Sequence, residues 1–189
     1  HVMVARQVQR DFHRLRAGLV RACLMHTGAP HPEAHLSRRM LDAFGAHLKA
    51  SYGITLHGAA ETLEDGQSIQ AMAGWASTHG ITLVGGSITE RREGRDKLSN
   101  TSIVFDSDGS IVGLYRKIHM FDVEVGGHVY RESDAEEPGD EPVVLDVEGW
   151  PTGLTVCYDV RFPELYRILA LQGAHLVTVP AHFTLYTGK

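Results

Sequence analysis

Two side chains with reactive chemistry stand at strand exits in this chain, a thiol at Cys157 and an amine at Lys117. Cys157 lies in Gly153-Leu-Thr-Val-Cys-Tyr-Asp-Val-Arg-Phe-Pro-Glu-Leu165. There Leu154 and Val156 read as a buried strand, and Pro163 suits the first turn of a helix. Leu165, Ile168 and Leu169 follow helical spacing, and Gly173 can end that helix. A thiol at the exit of a core strand is held rigidly yet faces a cleft at the strand's carboxyl end, a placement α/β proteins use for nucleophiles. Free cysteine is also among the most buried residue types, so a small structural hydrophobe is the competing reading.

Lys117 closes the segment Ser110-Ile-Val-Gly-Leu-Tyr-Arg-Lys-Ile-His-Met-Phe-Asp-Val-Glu124, which follows the turn Asp106-Ser-Asp-Gly109 and begins as a strand. Alternation puts Val112, Leu114 and Arg116 on one side and Gly113, Tyr115 and Lys117 on the other. A lysine at such a strand end is either a solvated edge charge or a cation held at the mouth of a site, where it stabilises a thiolate and an oxyanion. Spacing alone leaves both open.

The stretch from Gly85 to Gly188 resembles the carbon–nitrogen hydrolase (nitrilase) superfamily, and within it the Nit-type amidase branch. The matching pieces occur in one order: Gly85-Gly-Ser-Ile-Thr-Glu90, Lys97-Leu-Ser-Asn-Thr-Ser102, Tyr115-Arg-Lys-Ile-His-Met-Phe-Asp122, Arg131-Glu-Ser133, Pro138-Gly-Asp140, Cys157-Tyr-Asp-Val-Arg-Phe-Pro-Glu164 and Pro180-Ala-His-Phe183. A series of this kind is far more specific than any one motif. The resemblance implies that Cys157 is the nucleophile, Lys117 the oxyanion-stabilising lysine and Glu132 a second glutamate that positions lysine and substrate. It also implies that the backbone N–H of Tyr158 joins Lys117 in meeting the developing charge. The thiolate attacks an amide or nitrile carbon, ammonia leaves, and water activated by a carboxylate releases the acid from a thioester. Without the family, Glu132 reads as an exposed loop carboxylate among Asp134, Glu136 and Glu137. Arg161 is a candidate for binding a substrate carboxylate, or else for a salt bridge with Glu164 or Asp159.

The elements that position these residues read as α/β from residue 54 onward. Asp65 is expected to cap a helix over Gln67–His79 that buries Ile69, Met72, Ala73 and Ala76 and stops at Gly80. Residues 81–88 read as a buried strand, 102–105 with 111–115 as a hairpin, 126–141 as a polar loop, 143–147 with 153–156 as a strand pair, and 175–180 as a further strand. The resemblance implies a four-layer αββα sandwich, expected to be incomplete at its N- and C-terminal ends.

At 189 residues and 43% apolar composition, the chain suits one domain with a real core. We divide it into a divergent basic segment, 1–50, and a hydrolase domain, 51–189. The first fifty residues hold eight Arg or Lys against three acids, whereas the remainder carries a deficit of ten, for a net charge of −5. In the family a Leu-Pro-Glu-x-Phe motif near the start bears the general base; no clear match stands here, and Glu33 and Asp42 are weak candidates for it. Only Cys23 and Cys157 are cysteines, so no disulfide framework is implied and a reducing cytoplasm suits the thiol. No cofactor or metal is expected, since no His/Cys cluster has ligand spacing. The partner expected is a small-molecule amide or nitrile. Nucleic acid is not expected because the main body is acidic, and no membrane span is visible. Family members form homo-oligomers. Two other functions compete: a catalytically defective fragment and a binding or interaction module on the same fold. A Cys/His dyad using His119, His128, His175 or His182 is a weaker alternative.

Overall fold

The computed structural model describes residues 56–125 and 128–181, which lie in one unit of the chain. A single helical turn, α1 (Leu56–Ala59), precedes helix α2 (Gln67–His79). Ile69, Met72 and Ala76 of α2 are buried with Ala73 packed beside them, and Gly80 ends the helix in the left-handed region at φ 59°. The expected Asp65 cap is corrected. Gly66 occupies the N-cap, while Asp65 is held by the Thr62 hydroxyl. The acceptors come instead from Glu61, which takes the Ser68 N–H and hydroxyl at 2.8 Å each. A carboxylate earlier in the chain thus supplies what the first turn lacks.

Strands β1 (Leu83–Glu90), β2 (Ser99–Phe105) and β3 (Ile111–Arg116) form an antiparallel sheet in that order. β1 begins two residues later than its pattern suggested, because the Ile81 N–H bonds the Ala76 carbonyl at 3.1 Å and completes the helix end. The β2–β3 turn closes as expected, with the Gly109 N–H on the Asp106 carbonyl at 2.8 Å and φ 90° at Gly109. Alternation splits the sheet's side chains between two layers. Ile103 and Phe105 join the α2 cluster, whereas Val104 and Tyr115 join a second cluster.

The region expected as a polar loop holds structure. β4 (Asp122–Val125) pairs antiparallel with β5 (His128–Arg131), and a 3₁₀ turn, Glu132–Asp134, follows. These strands are four residues long and polar at alternate positions, so no sustained apolar period marks them.

β6 (Val143–Val147), β7 (Trp150–Leu154) and β8 (Leu176–Thr178) make the last sheet. A two-residue turn with positive φ at Glu148 (54°) and Gly149 (82°) joins β6 to β7, which sets β7 three residues earlier than expected. β8 runs parallel to β7, reached through a 3₁₀ turn, Cys157–Arg161, and helix α3 (Pro163–Leu171). Pro163 sits in the first turn of α3 as its fixed φ allows. Leu165 and Leu169 are buried, but Ile168 is 42% exposed, contrary to its expected place on the core face. Leu169 lies over the bare Cα of Gly153 and Leu145 over that of Gly113, so both glycines leave room for a neighbouring layer. Among the described residues, no helix is long and apolar enough to cross a membrane.

Gly139 connects this framework to Lys117. Its N–H bonds the Lys117 carbonyl at 2.8 Å, and a Cβ there would overlap the Arg116 carbonyl. Backbone cannot yield as a side-chain tip can. Gly139→Ala is therefore expected to cost about 1–3 kcal/mol in urea unfolding. Gly74→Ala, with open space around it in α2, serves as a control that gains up to about 1 kcal/mol. Equal stability of the two variants would refute the close approach.

Candidate active site

Lys117 follows β3 and extends its ladder by one bond, from its N–H to the Asn100 carbonyl at 2.9 Å. Because it shares the side of Gly113 and Tyr115, its stem enters the interior, and the residue is only 2% exposed. The ammonium meets Glu132 at 2.6 Å from Oε1 and 2.5 Å from Oε2. Glu132 opens the 3₁₀ turn after β5, and its Oε2 also accepts the Phe121 N–H at 2.5 Å. With 19% exposure it is not a free loop carboxylate.

Cys157 begins the 3₁₀ turn between β7 and α3, half-buried, with φ 49°. A β-carbon in the left-handed region is strained, so the fold must impose this geometry. The Cys157 N–H is anchored on the Pro180 carbonyl at 2.9 Å. Tyr158 follows in the first turn, where N–H groups lack partners within the helix.

Asp159 ties the two segments together. Its carboxylate is fully buried and accepts the Tyr115 hydroxyl at 2.7 Å, the Val156 N–H at 2.8 Å, the His119 N–H at 3.1 Å and His119 Nδ1 at 2.7 Å. Tyr115 and His119 bracket Lys117, and Asp159 lies two residues past Cys157, so one carboxylate fixes both strand exits. Burial first, and then the Asp159 carboxylate, hold the Tyr115 hydroxyl far above its ordinary range, keeping it a donor. His119 also stacks on Phe162, with centroids 3.7 Å apart, so its ring is committed to this brace. Edge contacts of Phe121 with Tyr158 (5.0 Å) and of Tyr158 with Phe162 (5.4 Å) form an aromatic wall across both segments.

Sequence reasoning assigns no site role to Asp159, which stands there only as a candidate partner of Arg161, or to Glu136. Its place inside the matching piece Cys157-Tyr-Asp-Val-Arg-Phe-Pro-Glu164 is the signal for the first. Glu136 is 4% exposed, though it reads as one acid in an acidic loop. Its carboxyl is pushed up to about 7, chiefly by burial and then by the hydrogen bond and repulsion of Glu132, with Lys117 and Asn100 opposing. His175 is exposed, and Glu164 pairs with Arg167 at 3.6 Å. Glu33, Asp42, His182, the His128 side chain and the 50/51 boundary lie outside the described residues. A buried cation fixed by a carboxylate, on a segment that Asp159 fastens to the turn carrying a half-buried thiol, suits acyl transfer through a sulfur nucleophile.

The carbon–nitrogen hydrolase family model matches residues 49–189. A hydrolase of Schizosaccharomyces pombe is 38% identical over 96% of this chain and 59% of its own length. The human omega-amidase NIT2 is 43% identical over 65% of this chain and 44% of its own. The crystal structure of Saccharomyces cerevisiae Nit3, a member of branch 10 of the nitrilase superfamily, superposes with a TM-score of 0.60 at 26% identity, covering 85% of this chain and 63% of that one. The chain therefore spans about half the length of the curated relatives it matches.

Proposed function

The chain belongs to the carbon–nitrogen hydrolase family, and we propose on that premise that it hydrolyses a small amide at a non-peptide carbon–nitrogen bond, with Cys157 as nucleophile. The observation that carries this reading is the burial of the Lys117 ammonium against Glu132, on a segment that Asp159 fastens to the Cys157 turn.

In the proposed reaction the Cys157 thiolate attacks the amide carbon. Charge develops on the carbonyl oxygen and is met by the Lys117 ammonium and the Tyr158 N–H. Glu132 holds Lys117 in place, so little reorganisation is needed as charge appears. The nitrogen takes up the proton that the thiol gave up and departs as ammonia. A water molecule activated by a carboxylate then cleaves the thioester to give the acid, its proton returning to the sulfur. Edge contacts among the rings of Phe121, Tyr158 and Phe162 stiffen the turn that begins at Cys157.

The likeness to an omega-amidase favours amides that carry a second carboxylate as substrates, with nitriles as the alternative class. Arg161 is the candidate for that carboxylate. The stacking of α2 and the last sheet on opposite faces of β1–β3 supports a four-layer αββα sandwich. Homo-oligomers and a cytoplasmic location extend the same family reading, and no cofactor enters the chemistry.

Single-turnover ammonia release from ω-amides of dicarboxylic acids tests the assignment. Wild type is expected to exceed Cys157→Ala by at least about 10³-fold. Equal release from both removes the hydrolase reading and leaves a non-catalytic binding role on the same fold.

A further inference from the structure

We infer that Glu136 is a positioning residue for the Lys117 site: it carries a proton that it donates to the Glu132 carboxylate, fixing that carboxylate against the Lys117 ammonium. This rests on the amidase reading above. Glu136 is held by backbone on both sides of Leu98, through the Leu98 N–H to the Ala135 carbonyl at 3.0 Å and the Glu137 N–H to the Leu98 carbonyl at 2.8 Å. That bridge turns its side chain inward, where it is 4% exposed. Among the described residues, no protein donor reaches Glu136 Oε2. What the carboxyl meets is another carboxylate, Glu132.

Two carboxylates in contact in a buried place do not both ionise, and the stable arrangement shares one proton. The surroundings decide which partner keeps the negative charge. Glu132 faces the Lys117 ammonium and the Phe121 N–H. Around Glu136 the neighbours are Glu132 from its own turn, Lys117 at the end of β3, and the neutral Asn100 on β2. Burial and the neighbouring charge hold the Glu136 proton up to about pH 7. Below that, the trio of Lys117, Glu132 and protonated Glu136 is neutral as a whole. Above it, a second negative charge enters beside the ammonium, weakening its action on an oxyanion and pushing Glu132 away.

The test measures the proton and the reaction separately in the full chain. Carboxyl NMR of ¹³C-glutamate-labelled wild type is expected to show one resonance titrating near pH 7 that is missing from Glu136→Gln. Ammonia release by wild type is expected to fall roughly tenfold per pH unit above that point. The amide of Glu136→Gln donates to Glu132 at every pH and removes the decline. The proposal is overturned if no such resonance titrates above pH 6, or if both proteins release ammonia with the same pH profile; in either case the amidase reading survives. A Glu136 resonance titrating near pH 7 with no ammonia release from wild type upholds the shared proton and overturns the amidase reading instead.

Discussion

Replacing Lys117 with methionine is expected to lower the proposed amide turnover by about 10³-fold and to cost roughly 2–3 kcal/mol of stability. The two losses have different origins. Methionine matches the lysine stem in length and fills the same buried channel, so packing changes little. What disappears is the ammonium. Glu132 then keeps its negative charge with no cation beside it, held by the Phe121 N–H and the Glu136 carboxyl alone. Its partial exposure of 19% leaves some solvent, which holds the cost below that of a fully buried orphan charge. In the proposed reaction the expected activity loss has its origin in the missing positive charge at the carbonyl oxygen as it becomes anionic.

A second substitution separates these effects. Adding Glu132→Gln to Lys117→Met removes the orphaned charge and is expected to restore most of the stability, read from the urea midpoint, without restoring ammonia release. If Lys117→Met keeps more than a tenth of wild-type turnover, Lys117 is a structural cation and not an oxyanion partner.

Asp159→Ala is expected to produce the largest stability loss in the described residues, about 3–5 kcal/mol. The carboxylate is fully buried and serves four donors, and truncation leaves all of them facing a void. Asn is not a remedy. Oδ1 receives two donors from His119 and Oδ2 receives Tyr115 and Val156, so an amide nitrogen on either side points hydrogens at hydrogens. Asp159→Asn should thus recover less than half of the loss in thermal or urea unfolding. Turnover falls in both variants because the Lys117 and Cys157 segments lose their shared anchor. Unfolding of Asp159→Asn at the wild-type midpoint would show that the brace contributes little.

Much of the local structure was legible from short-range patterns. The extent of α2, the Asp106–Gly109 turn and the entry of Pro163 into α3 depend on residues within one or two turns of each other. Strand limits were less legible. β1 gives up Ile81 to the helix end, and β7 is displaced by the tight turn at Glu148 and Gly149. The β4–β5 hairpin escaped because four-residue strands with polar faces carry too few positions to show a period.

The chain's residue order by itself determined its family and the alternation that turns Lys117 to the same side as Tyr115. It did so because ordered motifs and a two-residue period are properties of adjacent positions. The resemblance already implied that Glu132 positions Lys117, but only the tertiary structure decided that Asp159 binds Tyr115 across forty-four residues. The same holds for Glu136, which the Leu98 bridge turns inward, away from the solvent its acidic neighbours suggest. Those pairings depend on chain closure between distant segments, and the ionisation of each carboxyl depends on which neighbours that closure brings near.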